Sequence, residues 1–286
     1  GDEDELGGGR PAGGRGAGRR GKGATFTGVA AAAVVTVLAV VVAGQVADRH
    51  GHASRDAKAG ATEGARTQGG RATSSAKPSP TPLTYEQKMS EKVAFDPRLQ
   101  ASGKFETVPG FDKAPGTGKK YRYRVDVEKG IGLDGELFAQ AVQKTLNDNR
   151  SWSHDGARTF ERISSGKPDF VITLASPGTT AAWCKKSGLD TGGENVSCDS
   201  AATDRVMINA YRWAQGSKTY DDVLGDKSIE PYRQMLINHE VGHRLGYNHV
   251  LCSRNGQLAP VMQQQTKFLT YNGITCRPNP WVYPKG

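Results

Sequence analysis

The stretch "INHEVGHRLGYNH", residues Ile237 to His249, places three histidines and one glutamate within the eleven positions from His239 to His249. The chain has six histidines in 286 residues, so half of them fall in this window. His239 and His243 stand four apart. In an α-helix that spacing stacks two side chains on one face, so both imidazoles reach a single ion. Glu240 is rotated by about 100° from His239, near enough to meet a water on that ion without ligating it. Gly246 can take the left-handed conformation that ends a helix, after which the chain doubles back and brings His249 to the same ion. Three neutral imidazoles and a water make an open tetrahedral zinc site, the kind that catalyses rather than the closed kind that only stabilises a fold.

The pattern H-E-x-x-H-x-x-G-x-x-H arises by chance in a chain of this composition on the order of once in 10⁵. The competing explanation is a solvent-facing helix that happens to carry histidines. Met235, Leu236 and Ile237 before the motif, and Val241, Leu245 and Tyr247 within it, make such a helix too apolar to lie free in water.

Working outward, the composition divides the chain at about residue 84. Residues 1–83 are mostly Gly, Ala, Arg, Ser, Thr and Pro apart from one apolar block, whereas 84–286 hold all four Trp and all four Cys. Only the second part can bury a core, so one folded domain is expected at 84–286. The net charge of +9 is spread over both parts, +4 in 1–83 and +5 in the remainder. No recognition helix or aromatic stacking motif accompanies it, which speaks against a nucleic-acid partner. The block 23–47 has no charged residue and is long enough for a membrane helix. Arg10, Arg15, Arg19, Arg20 and Lys22 precede it, so 1–22 reads as a basic cytoplasmic tail, with the domain outside. A cleavable signal sequence is the alternative, and either way the domain is exported. Residues 48–83 have almost no large apolar side chain and read as a disordered linker, stiffened at its "KPSPTP" end.

Four cysteines in an exported domain imply two disulfides. Close C-x-x-C spacing, which a zinc ribbon needs, is absent. Cys184–Cys198 and Cys252–Cys276 are the expected pairs, since each closes a short loop. "YRYRVDV" from Tyr121 alternates as a half-buried strand, and Glu136 to Asn147 forms an amphipathic helix with Asp134 as N-cap. "TFERIS" and "DFVITLAS" read as strands, the second apolar enough to be central. Pro177 to Thr203 reads as a loop or pinned hairpin, Asp204 to Trp213 as a strand, and the motif helix opens at Pro231. That order predicts an α+β domain with a mixed sheet.

"HEVGHRLGYNH" resembles the signature of the metzincin zinc peptidases, and Met262 in "QLAPVMQQQTKFL" stands where that family has its Met-turn. The resemblance implies His239, His243 and His249 as zinc ligands and Glu240 as general base. It further implies a twisted mixed sheet with a backing helix, an active-site helix and a small irregular C-terminal subdomain. The domain also resembles an uncharacterised family of exported, membrane-anchored actinobacterial proteins predicted to have this peptidase fold. Some metzincins place a tyrosine two positions after the Met-turn methionine; this chain has none there, and Tyr271 and Tyr283 are the substitutes considered. Val250 after the third histidine matches no particular subfamily. His154 in "SWSHDG" has no ligand-spaced partner and reads as a loop residue.

The expectation is therefore a monomeric extracytoplasmic zinc peptidase acting on a peptide or protein of the cell envelope through a water that Glu240 activates. It would be a single-pass membrane protein if 23–47 is retained and secreted if it is cleaved. Two alternatives stay open: a zinc-stabilised cell-envelope binding module without catalysis, and a zinc amidase acting on cell-wall peptides.

Overall fold

The computed structural model describes residues 82–191 and 193–285. The expected tail at 1–22, the apolar block at 23–47 and nearly all of the 48–83 linker lie outside those residues. Among the described residues no helix is long and apolar enough to cross a membrane.

The chain opens with α1 (Tyr85–Ser90), β1 (Phe105–Thr107) and β2 (Lys119–Glu128), then α2 (Gly135–Leu146), β3 (Arg158–Arg162) and β4 (Phe170–Ala175). It continues through α3 (Pro177–Lys185), β5 (Cys198–Ser200), β6 (Arg205–Asn209), α4 (Ala210–Gln215) and α5 (Lys218–Leu224). The long helix α6 (Ile229–Arg244) and a hairpin of β7 (Thr270–Tyr271) and β8 (Ile274–Thr275) complete it. Six strands form one sheet in the order β1-β2-β4-β6-β5, with β3 also paired to β2. The β2–β3, β2–β4 and β4–β6 pairs are parallel, whereas β1–β2 and β5–β6 are antiparallel. The domain is α+β with a mixed sheet.

Alternation along the strands builds two different faces. Tyr123, Val125, Ile172, Leu174, Val206 and Ile208 point to one side and pack in the main core with Phe138 and Val142 of α2 and Leu236, Ile237 and Val241 of α6. Phe138 meets Trp213 edge-on, with ring centroids 4.9 Å apart. On the opposite side Ala175 and Met207 pack with the Cys184–Cys198 bridge. Beside them Asp126 accepts from Arg124, Arg205 and Thr107, and Arg205 also donates to Thr173. Every residue of β4 is buried, as its apolar sequence requires of a central strand.

Three boundaries differ from expectation, and local capping accounts for two of them. Pro177–Lys185 is a helix rather than a loop, because Ser176 accepts from the Thr179 N–H and Pro177 sits in the first turn, where its missing N–H costs nothing. The strand expected to reach Trp213 stops at Asn209, whose side chain accepts from Tyr211 N–H and starts α4. Helix α6 starts at Ile229, and Pro231 lies within its first turn instead of opening it. Asp134 caps α2 as expected, accepting from Leu137 N–H at 2.9 Å.

The cysteines pair as Cys184–Cys198 and Cys252–Cys276, with Cα atoms 6.0 and 6.4 Å apart. Two disulfides point to an extracytoplasmic domain.

Candidate metal centre

The C-terminal half of α6 carries His239, Glu240 and His243, and the helix ends where Gly246 takes φ 94°. In that turn the Tyr247 N–H returns to the Gly242 carbonyl at 3.0 Å, which folds the chain back toward the helix. His249 then comes alongside the two helical imidazoles, and its neighbour Val250 donates to the Met262 carbonyl at 3.1 Å. The three ligand atoms lie within 4.8 Å of one another, His239 buried, His243 half-buried and His249 exposed.

Hydrogen bonding decides which ring nitrogens face inward. His239 Nδ1 lies 2.8 Å from the Val261 carbonyl and His243 Nδ1 lies 2.9 Å from the Tyr247 carbonyl. A carbonyl only accepts, so both Nδ1 atoms carry the hydrogen and both Nε2 atoms present lone pairs. Yet the Nε2 of His243 stands 3.2 Å from that of His239 and 3.1 Å from that of His249. Facing lone pairs repel unless a cation sits between them. Burial disfavours a proton as that cation: it pushes His239 down to about 3, with the nearby His243 adding to the shift. His243 and His249 are lowered too, chiefly by burial. Zinc–nitrogen bonds of about 2.0–2.1 Å at tetrahedral angles separate ligand atoms by roughly 3.3 Å, so the donor set fits zinc.

The imidazoles open onto a cleft of about 750 Å³. Gly188–Thr191, Val196–Asp199 and Gln264–Lys267 line it together with residues of α6. Glu240 lines it beside the imidazoles. Its carboxyl is driven well above the ordinary range by burial and by the Asp199 charge, with the Asp199 backbone N–H acting in the opposite sense. A divalent cation among the imidazoles acts in the opposite sense and favours the carboxylate.

Support comes from residues that the motif does not contain. Trp152 donates its indole N–H to the Asn238 carbonyl at 2.9 Å, and Ser151 donates to the Asn238 side chain at 2.6 Å. Met262 is buried beneath α6 against Gly242, where a Cβ would collide with the Met262 sulfur and come within 2.6 Å of Trp152. Of the considered tyrosines, Tyr283 stacks on His154 at 4.0 Å and Tyr271 lies half-exposed on the hairpin; neither lines the cleft. Tyr247 does line it, its hydroxyl accepting from Arg158 at 3.0 Å. His154 stays apart from the ligands, its Nδ1 on the Asn149 carbonyl at 2.8 Å.

A family model described as a protein of unknown function, DUF3152, matches residues 95–284. The chain belongs to that family. No curated protein and no solved structure matches it. The DUF3152 span takes in the three histidines, Glu240, Met262 and all four cysteines, and leaves α1 outside. The cleft therefore lies wholly within what the family shares as a domain.

Proposed function

We propose that this domain is a zinc-dependent peptidase working outside the cytoplasm. The observation that carries the reading is the convergence of three imidazole nitrogens, two of them fixed as lone-pair donors by backbone carbonyls, beside a carboxyl in an open cleft. A structural zinc site closes its fourth position with protein, whereas these ligands face a space that a substrate can enter. His239, His243 and His249 would hold the ion. Zinc held there supplies a Lewis acid that brings a coordinated water's pKa to about 7 and polarises a carbonyl.

Glu240 takes the proton from the attacking water and returns it to the departing amine. Its place in the wall suits both transfers, because it is one residue along from His239 and rotated toward the cleft. The Val261 and Tyr247 carbonyls keep the two helical imidazoles in one tautomer through the cycle. The substrate is an extended peptide or protein segment of the cell envelope, and residues 23–47 hold the domain at the membrane. The two disulfides agree with that compartment.

The test is zinc analysis of the purified chain together with turnover of a peptide library, with and without chelator, for parent and Glu240→Gln. One zinc per chain in both proteins, with chelator-sensitive cleavage in the parent and none in the variant, is expected. Full turnover by Glu240→Gln contradicts the role of Glu240. Zinc without cleavage of any peptide, but with release of cell-wall peptides, moves the substrate to a wall amide.

A further inference from the structure

Among the described residues that line the cleft, Lys267 is the only lysine or arginine. The carboxyl groups there are those of Asp190, Asp199 and Glu240, and Asp199 is ion-paired with Arg244 at 2.5 Å. Lys267 Nζ meets Glu194 Oε2, also at 2.5 Å, with both side chains open to solvent, 36% and 56% exposed. Glu194 stands between the lining stretches Gly188–Thr191 and Val196–Asp199. The ion pair therefore ties that loop to the Gln264–Lys267 segment.

The two backbones that carry the pair are fixed. Arg212 donates to the carbonyls of Glu194 at 2.8 Å and Asn195 at 2.7 Å, and the Glu194 N–H reaches the Thr191 carbonyl at 2.8 Å. In the partner segment Gln265 is fully buried; its side chain accepts from the Asn279 N–H at 2.9 Å and donates to the Asn279 carbonyl at 2.8 Å. Thr266 shares a hydrogen bond with the Tyr232 hydroxyl, and the Lys267 N–H donates to the Gln264 carbonyl. The ends of the Lys267 and Glu194 side chains, by contrast, stand in solvent. An exposed pair of this kind adds little to stability, so the fold does not depend on it. Another carboxylate can take the place of Glu194 through side-chain rotation alone. It gains the same charge-assisted bond, and a bound peptide strengthens that bond by excluding water.

We propose that Lys267 is a specificity residue that receives a carboxylate of the substrate, and that Glu194 is the internal group which that carboxylate displaces. The proposal rests on the peptidase reading of the cleft and gives it a substrate class: anionic peptides with a free carboxylate close to the scissile bond. An acidic side chain or the peptide's own C-terminus supplies it.

The test uses short dye-labelled Ala/Gly peptides that carry a single Asp, Asn or Lys at successive positions, each made with a free or an amidated C-terminus. Cleavage by the zinc-loaded parent is measured as kcat/KM. Binding is measured by fluorescence anisotropy in the zinc-loaded Glu240→Gln background, so that affinity is read without turnover. Asp at one position should exceed Asn by about tenfold in both measurements, the scale of one close charge pair; if free acids exceed amides instead, the C-terminus is the source. Lys267→Gln should erase the difference while zinc stays at one per chain and Tm stays close to the parent's. Lys267→Glu should turn the preference round toward the Lys peptides. Glu194→Gln should raise affinity for the carboxylate-bearing peptides by about twofold to fivefold, because the internal competitor is gone.

Equal treatment of Asp and Asn peptides, and of acids and amides, overturns the proposal, as does a carboxylate preference that survives in Lys267→Gln. Glu194→Gln that binds such peptides no better than its background also overturns it, since the pair would then be a strap and not a displaced mimic. If the parent cleaves no peptide, the peptidase reading fails by itself. Anisotropy then decides this inference, a Lys267-dependent preference for carboxylates upholding it and the lack of one refuting it.

Discussion

Two polar clusters in this domain follow opposite rules. Behind the sheet, Asp126 faces Arg124 and Arg205 with nitrogen–oxygen distances of 2.9 Å, and Thr107 and Thr173 complete the set. Opposite charges alternate there, and each acceptor has a donor. At the end of α6 the groups are alike. Two imidazoles face each other with their lone pairs, a third stands 3.1 Å from one of them, and two carboxyls line the same cleft. The first cluster is complete from the chain's own residues. On the proposed reading a cation completes the second, and this separates a site built to bind from one built to hold the fold.

Removing a member of each cluster gives the largest contrast. His243→Ala takes away the imidazole that lies nearest both others, and zinc affinity should fall by more than about 10²-fold, beyond the loss from a residue that merely orients a ligand. Competition with a chromophoric chelator measures it, and parental affinity would show that the cluster is not the metal site. Thermal unfolding of the metal-free variant should change little or improve, because one of the facing lone pairs is gone.

Asp126→Ala should do the reverse. It strands two guanidinium groups, one with a side chain only 13% exposed, and should cost about 3 kcal/mol or more. For a domain of this size that lowers Tm by roughly 6–12 °C, with zinc binding unchanged. A Tm within a degree or two of the parent would mean that solvent replaces the lost partner.

Acid sharpens the same contrast. Burial alone would raise the Asp126 carboxyl, but hydrogen bonds from Arg124, Arg205 and Thr107 outweigh it and hold it below the usual carboxylate range. A group lowered on folding contributes stability above its unfolded value of about 3.9 and loses it as pH falls through the folded value. Denaturant midpoints between about pH 5 and pH 2 should therefore fall more steeply for the parent than for Asp126→Asn. Parallel curves would remove Asp126 from the account.

The smallest effect belongs to the seam beneath the metal centre. Gly242→Ala inserts a methyl against Met262 and Trp152, and overpacking of this kind costs about 1–3 kcal/mol. Because Met262 adjoins the Val261 carbonyl that orients His239, zinc affinity should also weaken by about tenfold. Equal affinity with lower stability would uncouple the seam from the site.

The unequal legibility of these regions has a physical basis. The α6 motif can be read in sequence because helical periodicity puts His239 and His243 on one face and Gly246 permits the reversal. Strands β2 and β4 are legible because alternation and continuous apolarity follow from half and full burial. Helix α3 was hidden because its sequence, "PGTTAAWCK", carries no apolar stripe, and only the Ser176–Pro177 start marks it. The orienting acceptors for His239 and His243 are backbone carbonyls, which any residue supplies, so no sequence could show them. Asp199 and Arg244 lie 45 residues apart and meet only because β5 is the edge strand next to α6. Gly242 gave a weak signal, a glycine inside a helix, whose reason is the close approach of Met262.

X-ray absorption at the zinc edge of the purified chain tests the central claim most directly. The account predicts one zinc with four light-atom neighbours at about 2.0–2.1 Å, three showing imidazole scattering and the fourth exchangeable by a small inhibitor. A chain that retains no zinc, or a zinc with sulfur or four protein ligands, would contradict it.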